Sequence, residues 1–435
     1  MIVKEIIERI EGEAELDFTY KNGIIENVKI KFPHFRGMEH IIEGKSAMDA
    51  LVITPRVCGI CGHAHLIAAT RAMEDLYKNS SNDIEITKKA SDIREITLNC
   101  EIIQNHIKWF YFVMYPLIRS IQKGSQEFIS LKNKKFFEAQ KAVVQISKII
   151  ALFGGQWPHT SYALPGGVMC DPTYVEIVQA LSFLDEVYGF FEKNIFSDGV
   201  EAFLSCSNSE LISKDGDISL FVKNAYEQSY EKIGRSYDRF IVFGENSLFK
   251  SGKVLTTIVY PVKTKYVTEK TQTFTYSKNV YYKDKFYETG PLARQMLLKQ
   301  PLVREFHRKL KDSAITRIVA RVAETALLLQ KTRDLLKCLD IDAPSYIRPK
   351  KNIHKISGSG IGVVEAARGS LIHKIEIKEG LVKKYEIITP TQWNLGNGTK
   401  KCPGVAQKAM IGLKDKKLAE FVFRSFDICS VCTTH

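Results

Sequence analysis

The chain has 435 residues, of which 45 % are hydrophobic and 26 % charged, proportions of an ordinary globular protein that exclude wholesale disorder. A chain of this length buries roughly three quarters of its unfolded surface, so a sizeable core is available. The 62 Lys and Arg against 49 Asp and Glu leave a net +13, an excess too dilute to require nucleic acid as a partner.

Taken in chain order, the opening MIVKEIIERIEGEAELDF has Glu and Arg where an export signal needs an unbroken apolar stretch. No later apolar run reaches the ~18–20 residues of a membrane-crossing helix. These features predict a cytoplasmic chain with no transmembrane segment, open to membrane association through partners. Residues 14–32 alternate apolar and polar around Lys21-Asn22-Gly23, which predicts a hairpin. Helical periodicity runs through 86–120, 134–153, 173–196 and 313–338. Gly154-Gly155 stops the second of these and Pro172-Thr173 starts the third. Residues 253–287, rich in Val, Thr, Tyr and Lys, predict irregular strands, the Lys-rich stretch 262–285 being a solvated face with a docking surface as the second reading, and 371–388 predicts a second hairpin turning at Glu379-Gly380. No repeat, low-complexity tract or Pro/Ser-rich linker divides the chain. Residues 1–435 are therefore expected to form a single α+β, mainly helical domain, a bundle of long helices with small peripheral β-sheets.

Nine cysteines are too few and too scattered for a disulfide framework. Cys100, Cys170, Cys206, Cys338 and Cys402 stand alone and are expected to be buried bystanders. The other four form two CxxC pairs, Cys58/Cys61 in RVCGICGHAH and Cys429/Cys432 in SFDICSVCTTH. Two intervening residues let both thiolates of a pair reach one metal from a single turn. Zinc is one reading of such pairs. Zinc-ribbon pairs, however, lie ~15–20 residues apart because they staple a small loop, and here the pairs bracket nearly the whole chain. A domain of this size needs no zinc staple, and thiolates suit softer, redox-active metals.

These two segments resemble the cysteine signatures of the large, catalytic subunit of nickel–iron hydrogenases. Further segments agree, in the family's order: Arg9-Ile10-Glu11-Gly12, Phe35-Arg36-Gly37-Met38-Glu39, Pro158-His159 leading to Pro165-Gly166-Gly167-Val168, Gly290-Pro291-Leu292-Ala293-Arg294, Glu365-Ala366-Ala367-Arg368-Gly369, and Thr389-Pro390-Thr391-Gln392-Trp393-Asn394. The wording QWPHTSYALPGGV, EAARGSL and SFDICSVCTTH is most similar to the cytoplasmic uptake and hydrogen-sensing branch.

The resemblance implies a nickel–iron centre on four thiolates, with Cys58 and Cys429 terminal on nickel and Cys61 and Cys432 bridging to an iron that carries CO and two cyanides. A terminal sulfur, with Cys429 as the candidate, accepts the proton of cleaved dihydrogen, and Glu11 matches the family's proton-transfer glutamate. Without the resemblance, Glu11 would read as a surface acid beside Glu13 and Glu15. Arg368 matches the arginine over the metals that hydrogen-bonds one cyanide, and Thr391 the donor to the other. Leu371 and Pro390 match the apolar wall around CO. His65 matches a histidine that donates to a bridging thiolate, whereas His63 falls one position off and is expected to pack or to face the partner. Glu39, His435 and the carbonyl of Ile387 match a buried Mg2+ site, an ion that keeps several waters and so takes few protein ligands.

The chain departs from the family where Asn105 stands for an Asp in the helix near Arg368, which puts the usual carboxylate–arginine network in doubt. Beyond the four, the cysteines do not provide for iron–sulfur clusters, so electrons need another route, which the resemblance implies is a small subunit carrying those clusters in a heterodimer or a higher oligomer of it. Three roles remain open: H2 uptake for metabolism, H2 sensing coupled to a kinase, and a non-catalytic relative that uses the cysteines structurally or serves only as an electron-transfer scaffold.

Overall fold

The computed structural model describes residues 2–7, 11–81, 84–117, 134–255 and 258–435. Arg9 and Ile10 of the first matching segment, and 118–120 of the first expected helix, lie outside them.

The hairpin expected at 14–32 forms. Strands β1 (Ile2–Ile7), β2 (Ala14–Lys21) and β3 (Ile24–Lys31) make an antiparallel sheet in that order. Asn22 and Gly23 both take positive φ at the two-residue turn, as its twist requires. Helix α1 (Gly62–Ser81) follows the first cysteine pair directly. Helix α2 (Lys88–Lys108) starts where the Thr87 hydroxyl accepts from the Ala90 N–H at 3.0 Å, and it runs on as a π-turn over Trp109–Met114. Trp109, Phe110 and Tyr111 are buried in the core.

Helix α3 (Lys134–Gly154) packs on α2 and on α4 (Tyr174–Phe190). A Thr173/Glu176 capping box opens α4. Helix α5 (Ala314–Lys337), capped by Ser313, packs along α2 and α4. These four are the bundle that the periodicity predicts. The 253–287 region contributes short antiparallel strands, Gly252–Leu255 with Ile258–Tyr260 and Val267–Lys270 with Asn279–Tyr282.

The sheet that builds the site is β4 (Gly358–Ala366), β5 (Gly369–Lys378) and β6 (Leu381–Ile388), antiparallel in sequence order. The expected hairpin at 371–388 is its second half, turning at Glu379-Gly380. Helix α1 lies on β4 and β5. A Cβ on Gly360 would stand 2.0 Å from the Ala72 carbonyl oxygen, and one on Gly362 1.9 Å from that of Ala68. Glycine at both positions therefore lets the helix backbone rest on the strand. No helix among the described residues is long and apolar enough to cross a membrane.

All nine cysteines are free thiols. Cys100 is buried, as expected, but Cys170 and Cys206 are only half-buried and Cys338 and Cys402 are exposed. Both sit where the chain has left a packed element, Cys338 just past the end of α5 and Cys402 in the 396–404 connection.

Candidate metal centre

Cys58 ends a short 3-10 turn over Thr54–Val57, and Cys61 immediately precedes α1. Cys429 and Cys432 sit on the last turn of the chain. The two ends of the sequence meet here. Arg36 joins them, its guanidinium donating to the carbonyls of Val57 (2.5 Å) and Arg56 (3.1 Å) while its N–H reaches the Thr434 carbonyl at 3.0 Å. The sulfurs pair first with first and second with second: Cys58 Sγ lies 3.4 Å from Cys429 Sγ and Cys61 Sγ 3.1 Å from Cys432 Sγ. All four are buried and lie within 4.8 Å of one another. Burial opposes a thiolate at Cys429, but hydrogen bonds from the neighbouring thiols and the Arg368 charge pull its pKa well below the usual thiol value.

Arg368 reaches the sulfurs from the β4–β5 turn. Ala366 pairs with Gly369, so Ala367 and Arg368 are the two turn residues, and Gly369 takes φ +128°. Arg294 of the Gly290–Arg294 segment holds this tip, donating to the Ala366 carbonyl at 3.0 Å while bound to Glu324 and Glu365. Burial works against the Arg368 charge, but Asp427 and the sulfurs of Cys429, Cys61 and Cys58 outweigh it and raise its pKa. The Asn105 amide oxygen accepts from Arg368 Nη1 at 3.3 Å, and Asp427 Oδ1 lies 3.1 Å from Nη2. The network questioned on account of Asn105 is therefore present, with Asp427 as its carboxylate. Asp427 stands two residues before Cys429 in a segment read for its cysteines alone.

A small void of about 10 Å³ lies between Cys61, His65, Arg368, Leu371, Pro390, Thr391 and Cys432, about the room of one water. Pro390 and Thr391 reach it as the first residues of α6 (Pro390–Leu395), which leaves β6 through a Thr389/Gln392 capping box. Arg368 Nε and Thr391 Oγ1 are buried with no hydrogen-bond partner in the protein. Two orphaned donors at one void need an acceptor from outside the chain.

His65 Nε2 lies 3.7 Å from Cys432 Sγ, and burial lowers the imidazole pKa to about 4. His63 packs, as expected, stacked on Tyr162 with Nε2 2.9 Å from the Thr97 hydroxyl. Glu101, unmarked in the sequence, accepts the N–H groups of His63 (2.9 Å) and Ala64 (3.0 Å) at the start of α1.

Glu11 sits against both cysteine loops. Its carbonyl accepts from the Val431 N–H at 3.1 Å, and its Oε1 would be 3.1 Å from a Cβ on Gly59. The following Gly12 has φ +104°, and a Cβ there would strike Ser430 Cβ at 2.9 Å, so only glycine brings the chain this close. The residue is exposed in the isolated chain, yet partial burial and the Cys58 charge raise its carboxyl pKa, against Arg368 and Lys108.

Glu39 and the buried His435 meet with Oε1 3.4 Å from Nε2. The Ile387 N–H donates to the same oxygen at 2.7 Å, which brings the backbone of Ile387 against Glu39. Burial opposes the Glu39 charge, but His435, Lys278 and the Ile387 N–H outweigh it and hold the pKa at about 2. Lys278, half-buried 3.5 Å from Glu39, is the exception to the solvated lysines of 262–285. Glu269 Oε1, beside it, is buried with no hydrogen-bond partner.

A family model for nickel-dependent hydrogenase matches residues 36–114 and 242–435. One component of the F420-non-reducing hydrogenase of Methanothermobacter marburgensis is 26 % identical, over 100 % of this chain and 94 % of that protein. The periplasmic NiFeSe hydrogenase large subunit of Desulfomicrobium baculatum is 24 % identical, over 98 % and 93 %. The fold is similar to that of the Ni-Fe-Se hydrogenase of D. vulgaris Hildenborough in its as-isolated oxidised state, with a TM-score of 0.83 at 21 % identity over 100 % of both chains. With the family model matching well over half of the sequence, the chain belongs to the nickel-dependent hydrogenases, in which it is a large, catalytic subunit, hence an oxidoreductase.

Proposed function

We propose that this chain, as one domain in the cytoplasm, cleaves H2 heterolytically in the uptake direction and passes the electrons to a small subunit carrying iron–sulfur clusters. The observation that carries the reading is the set of four buried sulfurs within 4.8 Å of one another, facing two orphaned donors, Arg368 and Thr391. The residues fit a nickel–iron pair with CO and two cyanides on iron. Cys58 and Cys429 would be terminal on nickel, with Cys61 and Cys432 bridging. A cyanide nitrogen is an acceptor of the kind that Arg368 Nε and the Thr391 hydroxyl lack, and Leu371 and Pro390 offer CO an apolar wall. When bound, the metal pair supplies the Lewis acidity that polarises dihydrogen.

The rest is done by the chain. The Cys429 sulfur, an acceptor beside the Arg368 guanidinium, takes the proton. Glu11, at the mouth of both loops with a raised carboxyl pKa, takes it onward, because a carboxyl tuned toward neutrality both accepts and releases. Arg368, its charge held by Asp427, fixes the anionic face of the site. Glu39, His435 and the Ile387 carbonyl suit Mg2+, and Glu269 Oε1, 3.8 Å from Lys278 Nζ and without a hydrogen-bond partner, suits a water on that ion.

Electrons leave through the partner, since the remaining cysteines form no further metal-binding group among the described residues. Met169, Tyr174 and Val175 leave large apolar side chains in solvent on the isolated chain, which supports a partner surface there. The purified heterodimer with an artificial electron acceptor tests the reading. Sustained H2-dependent reduction well within the ordinary enzyme range of ~1–10³ s⁻¹ is expected. Turnover at the bottom of that range, with binding of a histidine kinase, would replace uptake by sensing.

A further inference from the structure

Behind Cys432 lies a row of buried polar groups that the mechanism above does not use. His65 Nε2 faces Cys432 Sγ at 3.7 Å, and His65 Nδ1 lies 2.9 Å from His373 Nε2. His373 Nδ1 lies 2.8 Å from the Tyr385 hydroxyl. All four residues are buried. His373 is on β5 and Tyr385 on β6, brought together by the antiparallel register that sets Ile375 opposite Tyr385. The Tyr385 ring stands edge-on to the His373 ring at 84° with centroids 5.5 Å apart.

Hydrogen counting fixes the direction of this row. Two imidazole nitrogens 2.9 Å apart share one hydrogen, so each ring presents one bare and one protonated nitrogen along the row. A metal-bound thiolate only accepts, so His65 donates from Nε2. Its Nδ1 is then bare and must receive the hydrogen on His373 Nε2. His373 Nδ1 is bare in turn and must receive the Tyr385 O–H. Every donor points toward the sulfur, and the tautomer of each ring is set by the group behind it.

We propose that Tyr385 is a positioning residue: through His373 it locks His65 as the donor to Cys432 and so sets the electron density of that thiolate. This rests on the reading of Cys432 as a bridging metal thiolate. Without the Tyr385 hydroxyl, His373 is free to carry its hydrogen on Nδ1. It then presents a bare nitrogen to His65, and the donation onto sulfur is weakened.

The test is Tyr385→Phe in the assembled heterodimer, read by nitrogen-15 NMR of labelled histidines in the diamagnetic protein and by infrared spectroscopy. Wild type is expected to show His65 and His373 both as Nε2–H tautomers. In a nickel-replete Tyr385→Phe, His373 is expected to populate Nδ1–H. The CO band should move to lower frequency, since a thiolate with a weaker donor passes more charge to iron. His373→Gln keeps a donor toward His65 and an acceptor toward Tyr385, and is expected to retain the wild-type band. Unchanged tautomers and an unshifted band in Tyr385→Phe overturn the proposal, as does an equal shift in His373→Gln, which would reduce the effect to packing. If wild type lacks nickel and diatomic bands, it is the hydrogenase reading that fails, and the histidine spectrum still reports the direction of the row.

Discussion

Arg368 and Asp427 meet with Nη2 3.1 Å from Oδ1, and the other Asp427 oxygen accepts from Arg321 Nη1 at 2.7 Å. One carboxylate thus lies between two buried guanidiniums, where Asn105 adds a neutral acceptor. Asp427→Asn leaves two like charges facing each other without their shared counter-ion. Breaking a buried pair in this way costs about 3–5 kcal/mol, to be measured by urea unfolding of the metal-free chain. A loss under about 1 kcal/mol, the scale of an exposed pair, would contradict the role given to Asp427.

Cys429→Ser replaces one of the four buried sulfurs by a hydroxyl, a poor ligand for a soft metal. Nickel content by atomic emission is expected to fall to background, and H2-dependent activity with it. Wild-type nickel content in this variant would remove the second cysteine pair from the centre.

Glu11→Gln keeps the size and hydrogen bonding of the side chain but carries no proton. Metal content and infrared bands are expected to stay as in wild type. H2 turnover and H/D exchange should fall by about 10²–10⁴, the usual contribution of a positioned acid–base group. Wild-type exchange would put the proton exit elsewhere than the turn at Gly12.

Glu101 gives a pH signature. Burial pushes its carboxyl pKa up from 4.5 to about 8, despite the N–H groups of Ala64 and His63. A carboxyl whose pKa rises on folding binds its proton more tightly in the native state than in the unfolded one. It therefore makes stability fall as pH climbs from its unfolded pKa near 4.5 toward about 8. Glu101→Gln is expected to flatten that stretch of the Tm-against-pH curve measured by scanning calorimetry. Equal slopes in the two proteins would contradict the assignment.

Helices α3 and α4 keep exposed faces and so a readable 3.6-residue stripe, whereas α2 and α5, legible from their apolar periodicity, are buried over most of their length. Helix α1 was not legible. Its polar residues His63, His65, Thr70 and Glu74 are buried, so they mark no solvent face from which a helix could be read. Strand β4 was missed for a related reason: GSGIGVVEA looks like a loop, and its glycines make sense only once α1 rests on them. The cysteines, Arg368, Thr391 and Glu39 were legible through motifs that lie along the chain. The contacts of Asp427 with Arg321, and of His373 with Tyr385, join elements through tertiary register, which no local spacing encodes. Asn105 predicted a weakened arginine network because the compensating acid comes from the far end of the sequence.

The most direct measurement of the central claim is infrared spectroscopy of the purified heterodimer together with its nickel and iron content. A nickel–iron centre on Cys58, Cys61, Cys429 and Cys432 predicts one nickel per chain, one CO band and two cyanide bands, all shifting when H2 replaces an inert atmosphere. Zinc in place of nickel, with no diatomic bands under either gas, would contradict it.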